Sequence, residues 1–302
     1  MPVNGFFNVN KPRGVTSHDV VAAIRRASRE RRVGHAGTLD PAAEGVLLVC
    51  LGPATRVVEY LMDSHKRYLA TVVLGVTTTT DDAEGQVISR RDASGVARAD
   101  VERVLAHMVG RVLQVPPMYS ALKVQGKPLY KLARSGVEVE REPREVEILD
   151  LQLLDFEPPR LRLGVLCGKG TYVRTIAHDL GEHLGCGAHL ERLVRTAVGR
   201  FVVEDAVPLQ RLVDALEHGQ WENLIYPTDE ALIGLDAIVV GQEGERRITT
   251  GSSWRPSLVL RRPAGQSLCR VYSLDGLPLG IAEFDPSADN WRPVKTFVHA
   301  GA

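Results

Sequence analysis

Cysteine is scarce in this 302-residue chain: it has four cysteines, and no two of them have zinc-finger or CxxC spacing. This scarcity argues against a disulfide framework and a cysteine-based structural metal site, and it favours a reducing compartment such as the cytoplasm. The sequence also lacks the hydrophobic region of a signal peptide, and no apolar run reaches the ~18 residues of a membrane span. We therefore expect a cytoplasmic protein without a membrane segment.

Motifs for nucleotide cofactors and for metals are missing as well. There is no Walker-type loop and no GxGxxG after a predicted strand, and His183 and His189 lack the spacing of zinc ligands. Asp81, Asp82 and Glu84 could bind Mg²⁺ through their carboxylates. A turn with solvated acids is the better interpretation, because neighbouring strand residues point to opposite faces. We expect neither a cofactor nor a metal ion.

Charge of one sign does not dominate, since 37 basic residues balance 37 acidic ones. Global charge therefore does not indicate a nucleic-acid partner, but two local features do. Five arginines crowd into residues 25–32, although such a helix face is more often merely solvated. Residues 114–144 interleave basic and aromatic side chains, which can combine phosphate contact with base stacking or form an ordered excursion with surface lysines. This segment includes Tyr119, Lys123, Lys127, Tyr130 and Arg134.

The hydrophobic pattern predicts a chain that mixes strands and helices. Apolar or alternating runs predict strands at residues 5–9, 46–51, 68–74, 146–156 and 161–167. Thr16 or Ser17 is the predicted N-cap of a first helix, and Thr171 that of a later helix. From residue 238 onward, short apolar runs alternate with Gly, Pro and Asp turns, which indicates a small β-rich module.

The most unusual stretch is residues 34–47, with the sequence GHAGTLDPAAEGVL. Its glycines and Pro41 predict a rigid, irregular loop around Asp40, in front of a buried strand. An aspartate in such a loop either binds neighbouring backbone amides or carries chemistry, and the spacing alone favours the first interpretation. Arg174 falls in the first turn of a predicted helix, where a cation opposes the helix dipole, so it requires an anionic partner nearby.

These features fit two classes of protein. One is an enzyme that acts on RNA without a metal ion, and the other is an RNA-binding module. The residues taken by themselves leave the two interpretations close to even.

Five ordered motifs resemble those of the TruB family of pseudouridine synthases. They are KPRG with TSHDV at residues 11–20, GHAGTLDP through GVL at 34–47, KRY at 66–68, GKGTYVR at 168–174, and GCGAHL running to LVR at 185–195. The resemblance implies an α+β fold, a pseudouridine synthase core with a mixed β-sheet and flanking helices, over residues 1–235. Within it, residues 114–144 would be a thumb-like insertion that clamps RNA. Residues 236–302 would be a small β-rich, PUA-like RNA-binding domain.

The resemblance also implies a reaction and a set of site residues. The reaction is the isomerisation of uridine to pseudouridine at position 55 in the T-loop of tRNA, by a monomer that needs no protein partner. Asp40 would be the nucleophile, Arg174 its counter-ion, and Tyr68 the side chain that stacks on the target base. A base inside the T-loop must be flipped out to reach them.

Other site residues follow from the same resemblance. Leu193 would line the uracil pocket, and His35 would fill the space that the flipped nucleotide leaves. The remaining predicted RNA-binding or supporting residues are Lys11, Tyr172, Asp82, Lys123, Lys127 and Arg134.

Several alternatives stay open at this point. Asp40 could attack C6 of the base or act at C1′ of the ribose. The protein could instead be an RNA-binding or tRNA-folding module with secondary catalysis, or a related synthase that acts on another RNA or within a guide-RNA complex. Asp82 could orient an active-site arginine or only cap a turn. Glu44 would raise the pKa of Asp40 if both were buried, and we expect it to face solvent or pair with a local arginine.

Overall fold

The computed structural model describes residues 3–120, 122–124, 126–137, 139–261 and 267–297. In chain order, the α-helices are α1 (Ser17–Ser28), α2 (Val58–Asp63), α3 (Arg98–His107), α4 (Leu129–Arg134), α5 (Val173–His183), α6 (Leu209–Glu217) and α7 (Gln242–Thr249). No helix in these ranges is long and apolar enough to cross a membrane.

The strands are β1 (Gly5–Lys11), β2 (Val33–His35), β3 (Glu44–Leu51), β4 (Lys66–Leu74), β5 (Val76–Thr78), β6 (Val87–Arg90), β7 (Gly110–Gln114), β8 (Lys123–Val124), β9 (Lys127–Pro128), β10 (Arg144–Glu157), β11 (Arg160–Cys167), β12 (Ala188–Val198), β13 (Phe201–Val202), β14 (Val207–Pro208), β15 (Ile225–Tyr226), β16 (Asp236–Val240), β17 (Val259–Arg261), β18 (Leu268–Tyr272), β19 (Pro278–Asp285) and β20 (Asn290–Thr296).

An eleven-stranded mixed sheet forms the centre of the chain, with the main order β14-β1-β3-β12-β4-β11-β10-β7. Strand β12 runs parallel to β3 and antiparallel to β4, and β1 is parallel to β14 but antiparallel to β3. The predicted mixed sheet with flanking helices is therefore confirmed. Because β12 lies between β3 and β4, it brings three of the resembling motifs side by side.

Strand β3 is buried on both faces, as its unbroken apolar run predicts. Leu47, Val49 and Leu51 pack with residues of α1 and α6, whereas Val46 and Leu48 point into a second cluster on the other face. This sandwiching fixes the position of the strand, and with it the loop that precedes it.

The first helix begins as predicted, and the later one does not. Thr16 is the N-cap of α1 and forms a capping box with Asp19. Helix α5 has Tyr172 at its N-cap without a side-chain hydrogen bond, so the prediction of Thr171 as the cap was wrong. The Thr171 hydroxyl donates to Gly168 O instead, while the Gln114 side chain binds the backbone N–H of Tyr172 at 3.0 Å and its C=O at 3.4 Å.

The C-terminal residues form a second sheet of five strands, in the order β17-β16-β18-β19-β20. Its first strand begins at Asp236, and its apolar core includes Trp254, Val271 and Trp291. The predicted β-rich C-terminal region is confirmed, and its PUA-like character stays a prediction. Lys295 Nζ donates to Arg56 O at 2.6 Å, which joins this sheet to the larger part of the chain.

The segment predicted as a thumb connects the edge strand β7 to β10. Within it, β8 and β9 form a short hairpin and α4 follows directly. Lys127 is exposed there. The side chains of Lys123 and Arg134 lie outside the part that the structure describes, so RNA contacts of all three residues stay predictions.

Candidate active site

The loop that contains Asp40, residues 36–43, connects β2 to β3 and borders a cavity of about 270 Å³. The structure brings the side chains of five predicted residues to this cavity, although they come from four separate parts of the chain: the β2–β3 loop, β4, the start of α5, and β12. They are Asp40, Tyr68, Tyr172, Arg174 and Leu193.

The Asp40 loop is held by hydrogen bonds from the start of the chain. The Ser17 hydroxyl donates to Leu39 O at 3.0 Å and accepts from the Leu39 N–H at 2.9 Å. The Gly14 N–H donates to Pro41 O at 2.8 Å. These bonds anchor the backbone on both sides of Asp40, which favours a fixed position for its carboxylate.

Asp40 pairs with Arg174, the cation at the start of α5. Arg174 Nε lies 2.9 Å from Asp40 Oδ2, and the Arg174 side chain is 4% exposed whereas that of Asp40 is 39% exposed. The guanidinium also donates to Thr80 O at 3.1 Å and to Tyr119 O at 2.8 Å. The predicted anionic partner of Arg174 is therefore present. The contacts hold the arginine in place while Asp40 stays open to the cavity.

Asp82 caps a turn and also lies close to Arg174, so its role in orienting that arginine stays a prediction. Its Oδ1 accepts from the Glu84 N–H at 3.0 Å, which caps the turn between β5 and β6. Its Oδ2 lies 3.8 Å from Arg174 Nε. Asp82 is therefore a second anion against the same guanidinium, although it does not border the cavity.

The surroundings of Asp40 act on the pKa of its carboxyl in opposite directions. Burial raises the pKa of the Asp40 carboxyl above its ordinary value, the charge of Arg174 lowers it, and the nearby charge of Asp82 raises it. The net direction is upward. A carboxylate with a raised pKa is more basic, and the adjacent guanidinium favours its ionised form, which suits a nucleophile or a base.

Lys11 binds the Asp40 loop through backbone carbonyls. Its Nζ donates to Val15 O at 2.7 Å, Pro12 O at 3.0 Å and Pro41 O at 3.3 Å. Burial lowers the pKa of this ammonium to about 8, against the opposing charge of Asp40. All three hydrogen bonds go to backbone carbonyls, so its position is that of a structural support.

The walls of the cavity are aromatic and apolar. Burial raises the pKa of the Tyr68 hydroxyl, and the charge of Arg195 opposes that rise. Leu193 is buried and lies on β12, the strand that pairs with β4 of Tyr68. His35 does not border the cavity. It lies half-buried on β2, where burial lowers the pKa of its imidazole.

Sequence reasoning missed three cavity residues. Lys66 and Arg195 are buried cations at the wall, and Ser120 is a buried residue whose hydroxyl has no partner among the described atoms. Arg195 and Lys66 lie in the LVR and KRY motifs, where Leu193 and Tyr68 were singled out and the two cations were not. Ser120 carried no local signal.

Glu44 pairs with Arg192, which confirms the expectation that it would pair with a local arginine. Arg192 Nε lies 2.8 Å from Glu44 Oε1, at the protein surface. We predict that Glu44→Gln leaves the acid limb of the pH–rate profile in place and changes the free energy of unfolding by less than about 1 kcal/mol, because exposed ion pairs contribute little. Thermal melting and the pH profile measure the two effects. An acid limb that moves down would show that Glu44 does act on Asp40.

No cluster of three or more His, Cys, Asp or Glu side chains that could hold a metal ion occurs among the described residues. The chemical capacity of the cavity lies in its ionisable side chains: one open carboxylate, two guanidiniums, two phenols and two lysines.

A rigid carboxylate beside a buried guanidinium, in a cavity with aromatic and apolar walls, is the arrangement of an enzyme site. Two family models match the chain: "TruB family pseudouridylate synthase (N terminal domain)" over residues 25–173 and "tRNA pseudouridylate synthase B C-terminal domain" over residues 174–233. The chain belongs to the TruB family of pseudouridylate synthases.

Individual relatives agree with this assignment. A protein of Symbiobacterium thermophilum named tRNA pseudouridine synthase B is 55% identical over 213 residues, which cover 70% of this chain and 71% of that protein. A protein of the same name from Dehalococcoides mccartyi (strain ATCC BAA-2100 / JCM 16839 / KCTC 5957 / BAV1) is 40% identical over 297 residues, 98% of this chain and 97% of the relative. A solved chain from a Cbf5–Nop10–Gar1 complex superimposes with a TM-score of 0.76 at 26% identity, covering 98% of this chain and 85% of that chain.

Proposed function

We propose that this enzyme converts uridine to pseudouridine at position 55 in the T-loop of tRNA, with Asp40 as the nucleophile. The observation that carries the proposal is the contact of 2.9 Å between Arg174 and an Asp40 carboxylate that remains open to the cavity. The names of the relatives, tRNA pseudouridine synthase B, support tRNA as the substrate.

The reaction is an isomerisation, so it needs no other reactant. The N1–C1′ bond breaks, the uracil turns within the cavity, and C5 bonds to C1′. C5 then loses its proton and N1 gains one, which balances the atoms. An oxygen of Asp40 attacks C6 of the base or acts at C1′, and both routes require the ionised carboxylate that Arg174 favours.

The cavity walls suit a uracil that has left its helix. Tyr68 provides an aromatic face for stacking, and Leu193 provides an apolar surface beside it. The target base reaches them by flipping, at a cost of a few kcal/mol. His35 occupies the space that the nucleotide vacates, Tyr172 supports the pocket, and Lys123, Lys127 and Arg134 of the thumb contact the RNA.

The enzyme acts as a monomer in the cytoplasm and recognises the T-arm by itself, with the C-terminal sheet as a PUA-like domain. A Cbf5–Nop10–Gar1 complex is the setting of the structural relative, so a synthase that requires partners is the alternative. A bare T-arm hairpin separates the two, because only an autonomous enzyme modifies it without other proteins or a guide RNA.

The test uses purified protein, unmodified tRNA transcript and EDTA, followed by chemical derivatisation that maps pseudouridine. We expect modification at the T-loop uridine and none in a matched transcript with cytidine at that position. If the T-loop uridine stays unmodified, the proposal is wrong. If full-length tRNA is modified but a T-arm hairpin is not, the enzyme requires parts of the tRNA outside the T-arm.

The pH dependence follows from the direction of the Asp40 pKa. Burial raises the pKa of the Asp40 carboxyl, and the reaction needs the ionised form of this group. Activity should therefore fall as pH decreases through a value above the ordinary 3.8 of an aspartate. The acid limb of kcat/KM against pH reports this group in the free enzyme. An acid limb at or below the ordinary aspartate value would contradict the assignment.

A further inference from the structure

Arg195 is a buried cation at the wall of the Asp40 cavity. Its side chain is 1% exposed. Its Nε donates to Val46 O at 2.7 Å, its Nη2 to Gly37 O at 3.0 Å, and its Nη1 to Thr38 O at 3.4 Å. All these acceptors are backbone carbonyls, and no carboxylate in the described ranges lies within ion-pair distance of this guanidinium.

The two buried arginines of the site therefore differ in kind. Arg174 is neutralised by Asp40, whereas Arg195 keeps a full positive charge inside the protein. An uncompensated buried charge is costly, and carbonyl dipoles offset only part of that cost. A buried cation of this kind favours catalysis when an anion forms beside it during the reaction.

The position of Arg195 matches the place where the base would lie. On the antiparallel pair of β12 and β4, Arg195 is directly opposite Tyr68, and both border the cavity together with Leu193. The charge of Arg195 and a side-chain hydrogen bond with it oppose the burial-driven rise of the Tyr68 pKa, and the same charge adds to the burial that lowers the pKa of Lys66 to about 8. Arg195 and Lys66 are thus two buried cations at the wall that Tyr68 forms.

In every route of the proposed reaction, negative charge moves from the Asp40 carboxylate to the uracil, which would lie beside Arg195. If Asp40 attacks C6, the carboxylate becomes an ester and the ring becomes an enolate. If Asp40 attacks C1′, the N1–C1′ bond breaks with its electron pair on N1, and uracil leaves as an anion. If Asp40 takes a proton from C2′, uracil again leaves as an anion. In each case one negative charge leaves the carboxylate and arrives on the uracil.

We propose that Arg195 is a second catalytic cation, whose remaining guanidinium N–H groups contact the uracil and stabilise the negative charge that the ring gains. The inference rests on the proposed function and assigns the counter-charge of its intermediate. The hydrogen bonds to Gly37 and Thr38 hold the guanidinium in place before the substrate enters, so it needs no reorganisation when the charge develops.

The test compares Arg195→Gln with Arg195→Lys by single-turnover kinetics at saturating enzyme, so that changes in RNA affinity do not enter. The substrates are tRNA with uridine and tRNA with 5-fluorouridine at the target position, and the measured event is cleavage of the N1–C1′ bond. Fluorine withdraws charge and stabilises the ring anion without the enzyme. Arg192→Gln is the matched control, because it removes a surface cation of the same strand.

We expect Arg195→Gln to slow cleavage of uridine about 10²- to 10³-fold, to slow cleavage of 5-fluorouridine much less, and Arg195→Lys to retain part of the rate. Equal losses on both bases would overturn the inference, because a merely structural role affects both alike. Should Arg195→Gln fail to fold by circular dichroism, the same comparison with Arg195→Lys decides. Wild-type protein that leaves the T-loop uridine unmodified would instead refute the proposed function.

Discussion

Asp40→Asn should reduce the single-turnover rate of pseudouridine formation by at least about 10⁴-fold, as removal of a nucleophile does in other enzymes. The amide has nearly the shape of the carboxylate, so the hydrogen-bonded loop around it is preserved. It cannot, however, supply the negative charge that attacks the substrate. We expect the affinity for tRNA to stay close to that of the wild type, because the loss concerns the reaction and not the docking surface. Filter binding measures the affinity, and single-turnover assays measure the rate.

Two controls make this result specific. Asp214→Asn changes the same functional group on an exposed face of α6, where the carboxylate accepts a hydrogen bond from Gln210 at 2.9 Å, and it should leave the rate unchanged. Asp40→Ala excludes activity that arises from slow deamidation of the new asparagine. Turnover of Asp40→Ala near the wild-type rate would remove Asp40 from the mechanism. It would favour a protein whose main role is to bind or fold RNA.

Local patterns in the sequence predicted the elements that local forces determine. The unbroken apolar run of β3 is typical of a strand buried on both faces, and the spacing of Thr16 and Asp19 already contains the capping box of α1. The Thr171 cap failed because the groups at the start of α5 are bound by Gln114, which is 58 residues away in the chain. No local pattern reports a partner at that distance.

In the candidate site, too, local patterns predicted some features, and others depend on contacts between distant parts of the chain. Physical reasoning found Asp40 and the need of Arg174 for an anion, but only the family resemblance joined them into one site. Arg195 and Lys66 escaped because their hydrogen bonds go to backbone carbonyls, which tertiary packing delivers and residue types do not encode. The contact of Asp82 with Arg174 also depends on the fold, since the turn between β5 and β6 must reach α5 before it exists, whereas the hydrogen bond from the Glu84 N–H is local to the turn.

Arg174→Met should both slow the reaction and change its pH dependence. Removing the guanidinium leaves the half-buried Asp40 near the carboxylate of Asp82, and both the burial and the like charge disfavour its ionised form. Because a cation at this distance lowers a carboxyl pKa by about one to three units, the acid limb of the profile should move upward by a similar amount. At neutral pH we expect a loss of about 10²- to 10³-fold, part of which returns at higher pH.

A second substitution distinguishes this electrostatic effect from simple collapse of the site. Asp82→Asn in the Arg174→Met background removes the like charge that remains, so the acid limb should move back toward lower pH and the neutral-pH rate should partly recover. A collapsed pocket would gain nothing from the loss of another buried polar contact. Arg174→Lys should fall between the wild type and Arg174→Met, because an ammonium keeps the charge but cannot hold Asp40, Thr80 O and Tyr119 O with one planar group. An acid limb that is identical in all four proteins would mean that Arg174 does not set the ionisation of Asp40.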